Sequence, residues 1–245
     1  MLSIVRCCLC AALLIAFGAQ GANAQPGRSF EGFIEPSAVV NVSSQVPGIL
    51  EAISVERGDR IAAGQIIASL HSESETAAVD LAAARMEFGK RKVARNEELS
   101  RKKLISVNDK DELETEFRIA ELQLREAREK LAIRTIRSPI EGVVVERFLS
   151  PGEYVGEDPI VKIVRLTPLF VEVIVPVEFF GKITVGMTAD VQPETYTARA
   201  YSARVIIVDR VVDAASGTFG VRLELPNPND ALPAGLKCRV VFPIK

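Results

Sequence analysis

The hydrophobic and polar positions change period along this chain and divide it into three textures. Residues 36–71 carry short Val- and Ile-rich runs punctuated by Gly, the pattern of half-buried strands. Residues 72–135 are densely charged, hold one glycine (Gly89) and no proline, and read as helix. Residues 136–245 return to strands broken by Pro and Gly. Within the helical stretch, Leu113, Phe117, Ala120, Leu124, Ala127 and Leu131 step by four and three in alternation, which predicts a coiled-coil seam. Ahead of it the repeat is less regular, but Val79, Met86 and Val93 recur every seven. Ser72-Glu73-Ser74-Glu75 offers N-cap oxygens and a capping-box carboxylate to a first helix running to about Leu104. Two helices of about 25–30 residues, each reaching roughly 40–45 Å at 1.5 Å per residue, with outer faces rich in Glu, Arg and Lys, predict an antiparallel hairpin standing in water.

The strand regions on either side of this hairpin repeat one another. Shifting Gly48-Ile49-Leu50 through Gly58-Asp59-Arg60-Ile61 by 94 residues superimposes it on Gly142-Val143-Val144 through Gly152-Glu153-Tyr154-Val155. Ile66, Ile67 and Leu70 then fall on Ile160, Val161 and Val164. Glycines at fixed offsets predict turns with positive φ at Gly48, Gly58, Gly142 and Gly152. Apolar residues at fixed offsets predict one buried face used twice. Two copies of such a unit bury each other's apolar faces, so residues 36–71 and 136–165 are expected to close into a single small β-sandwich split by the hairpin at 72–135. Beyond it, alternating runs at Leu169–Val175, Met187–Gln192, Ala203–Val212, Thr218–Leu225 and Lys237–Phe242 predict a small β-barrel or sandwich over 166–245, with a short helical turn from Pro176 to Gly181. The expected fold class is mainly β with a long α-helical coiled-coil hairpin.

Composition narrows the chemistry. The 245 residues hold 30 basic and 32 acidic side chains, a near balance that argues against a nucleic-acid surface. There is one histidine, His71, at the strand-to-helix junction, and no tryptophan. The glycines lie between strands rather than ahead of a helix in a phosphate loop. No paired acids, nucleophile–base set or metal cluster emerges, so the reading is of a protein that is not an enzyme and has neither cofactor nor metal. Residues 1–24 read as a secretion signal: Arg6, an apolar run from Cys7 to Phe17 too short to span a bilayer, and a small-x-small site at Ala22-Asn23-Ala24. Cleavage there removes Cys7, Cys8 and Cys10 and leaves Cys238, in an apolar strand pattern, as a core residue with no disulfide partner.

A split lipoyl-like domain, a coiled-coil hairpin in the split and a following β-barrel together resemble the membrane fusion proteins, the periplasmic adaptor subunits of HlyD-like and RND-type efflux systems. The residues that carry the resemblance are Val46-Pro47-Gly48 through Gly58-Asp59 to Gly64-Gln65, then Ile136-Arg137-Ser138-Pro139 with Gly142 and Gly152-Glu153. The third motif is Leu225-Pro226-Asn227-Pro228 with Leu232-Pro233-Ala234-Gly235. The resemblance implies a periplasmic location and a link between an inner-membrane transporter and a TolC-like outer-membrane channel. The implied transporter is of the RND class by preference, with an ABC exporter as the alternative. It also implies a homo-oligomeric ring, a hexamer in the family. Adaptors that meet such channels carry Arg, Leu and Ser near the hairpin tip at spacings that fall here on Arg95, Leu99 and Ser106. Each also has a plain structural role open to it: Leu99 sealing the hairpin end, Arg95 as a solvated charge, and Ser106 as the N-cap of the second helix with Asp109. The sequence stops at Lys245, just after the last predicted barrel strand, so a short form without a membrane-proximal domain is expected. The rival reading is a lipoyl or biotin carrier, which would present a modified lysine in a tight turn between the two halves. The hairpin fills that place.

Overall fold

The computed structural model describes residues 28–101, 106–194 and 199–244, with the helical backbone alone at 98–100. The secretion signal read at 1–24 lies outside the described residues. Two long strands, β1 (Arg28–Val42) and β8 (Val161–Pro176), run antiparallel through the whole β region and belong to both of its halves. One half is a closed six-stranded barrel. Around it the order is β1, β12 (Lys237–Phe242), β9 (Thr188–Pro193), β10 (Tyr201–Val208), β11 (Thr218–Leu225) and β8, which returns to β1. Strict alternation builds its core: Phe219, Val221, Leu223 and Leu225 point inward from β11, and Cys238, Val240 and Phe242 from β12. A 3-10 turn at Val177–Phe179 follows β8 and buries Phe179 against Phe30.

Two features of the barrel differ from the sequence reading. Its sixth strand is the first part of β1, ahead of the region where strand character was read. Gly32 pairs with Val173 of β8 and Cys238 of β12, and the inward positions are Phe30, Gly32 and Ile34. A glycine in the middle of three inward positions removes the apolar signal; a Cβ there would lie 2.7 Å from the Glu172 carbonyl. The strand expected over Ala203–Val212 ends at Val208, although the Asp209 N–H still donates to Gly220 O at 2.9 Å. Past it, Asp213 accepts hydrogen bonds from the Ala215 N–H and the Ser216 hydroxyl, so the chain turns there.

The other half is the split sandwich. β2 (Gly48–Ile53), β4 (Ile66–Leu70), β5 (Thr135–Arg137) and β7 (Tyr154–Val155) form one sheet; β3 (Arg60–Ile61) and β6 (Gly142–Arg147) extend the β8 edge of the other. The two repeats pair crosswise. Gly48 stands opposite Val155 and Ile49 opposite Tyr154, while Gly142 stands opposite Ile61 and Val143 opposite Arg60. Each relation maps onto the other under the 94-residue shift. The turn bonds obey the same symmetry: Gly58 N–H donates to Val144 O at 2.8 Å and Gly152 N–H to Leu50 O at 2.7 Å. Leu50, Ile61, Ile67, Leu70, Val144, Val155, Ile160 and Ile163 fill the space between the sheets.

The four repeat glycines do two different jobs, which corrects the expectation of positive φ at all four. Gly58 and Gly152 have φ of 98° and 91°, as turns require. Gly48 and Gly142 open strands and are not in the left-handed region. They are crowded instead: a Cβ at Gly142 would lie 2.2 Å from the backbone oxygen of Val164, and one at Gly48 would lie 2.8 Å from the end of the Arg134 side chain, which would have to move aside.

Candidate functional site

Between β4 and β5 the chain leaves the sandwich as two antiparallel helices, α1 (Glu73–Arg101) and α2 (Val107–Ala132). Their lengths, 29 and 26 residues, place the hairpin tip about 40 Å from the sandwich at 1.5 Å per residue. On α2 the less exposed positions include all six residues of the expected seam, with Leu124 fully enclosed. On α1 the facing positions are Glu75, Val79, Ala82, Met86, Gly89, Val93 and Asn96. That is also a four–three seam. Its second set of positions holds an acid, two small residues and an amide, so only Val79, Met86 and Val93 were legible as apolar. Gly89 lies against Phe117, whose ring would be 3.4 Å from a Cβ added there. Lys92 and Glu116 join the helices by a 2.8 Å ion pair at the seam's edge.

At the root of the hairpin, Arg134 fastens α1 to the sandwich. One guanidinium nitrogen donates to Pro47 O at 3.1 Å, and the other meets the Glu75 carboxylate at 2.5 Å. Glu75, expected as a capping carboxylate, therefore spans the hairpin root. Its own backbone N–H, the Ser74 hydroxyl and Arg134 together hold its carboxyl below the usual carboxylate range. Both side chains are largely covered, at 23% exposed for Arg134 and 17% for Glu75.

At the far end, Ser106 is the N-cap of α2. Its hydroxyl accepts from the Asp109 N–H at 3.1 Å, and the Asp109 carboxylate accepts from the Ser106 N–H at 3.3 Å, a complete capping box. Arg95 is exposed on α1, beside a shallow hollow lined by Phe88, Arg91, Lys92 and Asn96. Leu99 lies on the last turns of α1; its side chain is outside the described residues. The sequence reading passed over Phe88. It is 63% exposed, seven residues before Arg95 on the same helical stripe, and its displacement from the Val79–Met86–Val93 register was the available signal.

Among the described residues no three His, Cys, Asp or Glu side chains gather as metal ligands. His71 is exposed and 3.7 Å from the Glu73 carboxylate. Cys238 is a buried free thiol inside the barrel, pushed up to about 11 by desolvation and then by the charge of Glu194. Among the described residues no helix is long and apolar enough to cross a membrane.

Comparison with known proteins agrees with this architecture. Residues 38–165 match the CzcB-like barrel-sandwich hybrid domain and residues 168–243 the CusB-like β-barrel domain. The chain is 25% identical over 240 residues to the multidrug resistance protein MdtE of Escherichia coli K12, covering 86% of this chain and 61% of that one. It is 21% identical over 236 residues to the cobalt-zinc-cadmium resistance protein CzcB of Cupriavidus metallidurans, covering 89% of this chain and 45% of that one. The chain thus spans about half the length of these relatives. In fold it is similar to a MacA–MexA chimeric protein carrying the Pseudomonas aeruginosa MexA α-hairpin, with a TM-score of 0.77 and 19% identity over 89% of this chain and 79% of that one. The matched barrel-sandwich hybrid alone covers more than half of the sequence, and with the barrel and the inserted hairpin it places this chain in the membrane fusion protein family, the non-enzymatic periplasmic adaptors of efflux systems.

Proposed function

We propose that this protein links an inner-membrane efflux transporter to a TolC-like outer-membrane channel, with the hairpin tip as the channel-docking end. The observation that carries this reading is the hairpin itself: a seamed pair of helices anchored at its root by Arg134, with the capped start of α2 about 40 Å away at its far end. Such an arm has no core of its own to serve and presents its far end to a partner. Leu99 supplies the apolar knob of the contact, and Arg95 a forked cation for carbonyl or carboxylate oxygens. Ser106 is a small polar group that caps α2 and faces outward at the same time. Copies of the chain assemble as a ring, a hexamer by family resemblance, so that the tips meet the channel together. Export of small molecules is driven by the transporter, and the adaptor seals and couples.

An RND transporter is the preferred partner, a reading that the CusB-like β-barrel match over residues 168–243 supports. An ABC exporter is the alternative, and co-purification of the tagged adaptor with each transporter class separates them. The tip assignment is tested with Leu99→Glu and Ser106→Arg. A charge placed in the dry centre of a contact costs several kcal/mol, so channel capture and drug resistance should both be lost while the adaptor remains folded. Retention of both functions in the two variants would overturn the assignment. Intact-mass measurement of the purified chain tests the carrier reading, which requires a lipoyl or biotinyl addition on a lysine.

A further inference from the structure

The seam between α1 and α2 is not the only four–three pattern on these helices. A second one runs along the back of each. On α1 it holds Leu81, Ala84, Phe88, Arg91 and Arg95, and on α2 Glu112, Thr115, Ile119, Leu122 and Glu126. All of these residues are exposed. At 3.6 residues per turn they fall close to opposite the seam, so the two stripes form the two outer edges of the hairpin. Large apolar side chains collect on them. Among the described hairpin residues, Leu81, Phe88, Val107, Ile119 and Leu122 are the large hydrophobics left exposed, each by 46% or more. All but Val107, at the start of α2, lie on the stripes. Apolar groups aligned on a surface mark a contact.

The two edges match level by level. Lys92 pairs with Glu116, and Gly89 lies against Phe117, which fixes the residues that share a height. Counting out from these contacts, Ala84 is level with Leu122, Phe88 with Ile119, and Arg95 with Glu112. Toward the root, apolar residues on one edge correspond to apolar residues on the other. Toward the tip, cations correspond to an anion. The surrounding charges agree. From 85 to 95, α1 carries Arg85, Lys90, Arg91, Lys92 and Arg95 against Glu87. From 109 to 116, α2 carries Asp109, Asp111, Glu112, Glu114 and Glu116 against Lys110. Within the hairpin Glu116 takes Lys92, Glu114 takes Lys110, and Glu126 at the root end takes Lys130. Arg91, Arg95 and Glu112 have no ion pair among the described residues.

We propose that these edges are the contact between copies of this chain, with α1 of one hairpin against α2 of the next at equal height. The inference rests on the ring reading above and assigns its surface. Phe88 is the anchor, set against Ile119 and Leu122, with Ala84 letting the helices approach. Glu112 meets Arg95 at its own level and Arg91 one turn nearer the root. Rotation about an axis along the hairpins keeps the copies at equal height, which level-by-level matching requires. The edges differ, so the contact is head-to-tail, and every edge is covered only when the row closes into a ring. Two like edges would set cation against cation or acid against acid, which fixes the polarity.

Cysteine crosslinking of the purified full chain tests this with no channel or transporter present. Ala84→Cys and Leu122→Cys are made singly and together, oxidised, and run without reductant beside the native chain. The two positions stand on opposite edges of one hairpin, too far apart for a disulfide within a chain. The double variant should therefore give a ladder of dimers and higher species, and a mixture of the two single variants should give dimers. Either single variant alone should match the native chain. Ala84→Cys combined with Thr115→Cys, out of register by roughly 12 Å at 1.5 Å per residue, should give little ladder. Phe88→Glu added to the 84–122 pair should reduce the ladder roughly tenfold, as for loss of a central anchor. Arg91→Glu should weaken it, and Glu112→Arg added to Arg91→Glu should restore it. Helical circular dichroism confirms that each variant keeps its hairpin. The proposal is overturned by crosslinking of a single variant alone, by an equal ladder from the 84–115 pair or with Phe88→Glu, or by no ladder from a folded 84–122 variant. Channel capture separates this contact from the adaptor reading. Capture that persists without a ladder removes the edge contact and leaves the adaptor reading standing, while a ladder in a chain that captures no channel does the reverse.

Discussion

At the scale of single residues, glycine is where sequence and structure separate most clearly. The four repeat glycines could be found by their spacing, because the shift of 94 residues aligns them without gaps. The reason for each was not legible, because a turn glycine and a crowded glycine look alike in a sequence. The two kinds respond differently to a methyl group. Gly58→Ala adds a Cβ into open space and suffers only the left-handed φ, which costs about 1–2 kcal/mol. Gly142→Ala places a Cβ 2.2 Å from a backbone carbonyl that cannot move without shifting β8. Its cost should exceed that of Gly58→Ala, at roughly 3 kcal/mol or more, in the range of overpacked core substitutions. Urea denaturation of the two variants gives the order directly, and equal losses would contradict the distinction. Ser106 illustrates the opposite case, a residue whose local role was fully legible. Ser-x-x-Asp ahead of a helix predicts the capping box that forms. Ser106→Ala should therefore cost about 1 kcal/mol of hairpin stability, and Ser106→Thr or Ser106→Asp should recover most of it. Channel capture by the same variants then tells capping from docking. A contact that needs a small hydroxyl at the tip will tolerate Thr and reject Asp, while a role in capping alone will tolerate both.

At the scale of elements, legibility followed the size of the side chain at the repeating position. The α2 seam was read residue by residue because every position carries an apolar group. The α1 seam was read at half its positions because Ala82, Gly89 and Asn96 contribute little or no hydrophobic signal, although they face α2 as Val79, Met86 and Val93 do. The first part of β1 was missed for the same reason, with Gly32 between Phe30 and Ile34. Elements whose inward faces are small are visible only once the partner is in place. Gly89 makes this testable. It lies within a helix, where glycine is about 1 kcal/mol less favourable than alanine, and an added Cβ would meet Phe117 at 3.4–3.7 Å, ordinary contact distance. Gly89→Ala should thus stabilise the hairpin by up to about 1 kcal/mol, whereas Gly89→Leu has no room against Phe117 and should separate the helices. Helical circular dichroism followed through thermal unfolding reports both. A loss of stability in Gly89→Ala would show that the helices approach more closely at Phe117 than this packing implies.

At the scale of the whole molecule, the crosswise pairing of the repeats decides what depends on what. The first strand of each copy pairs with the second strand of the other, so β3 and β7 have no sheet partner until both copies are present, while β2 pairs also with β4 and β6 also with β8. The hairpin stands outside this dependence. It leaves after β4 and returns at β5, and these strands are already neighbours: Leu70 N–H donates to Arg134 O at 2.9 Å, Ser69 lies opposite Thr135, and Ala68 lies opposite Ile136. A loop of a few residues can close that gap in place of two helices, and loop-closure entropy favours the shorter connection. Replacing residues 72–133 by a short Gly- and Asn-containing turn should leave the sandwich and barrel folded, with a single cooperative unfolding transition and unchanged strand pairing by amide exchange. The same variant should fail to capture the outer-membrane channel while still co-purifying with its transporter. The Arg134–Glu75 pair is lost with the helix, but its remaining bond to Pro47 O stays within the sandwich, so the cost of the excision is confined to the hairpin root. An excised chain that no longer folds would mean that the helices nucleate the β-domain they interrupt. One that folds and still captures the channel would move the docking surface from the hairpin tip to the β-domains.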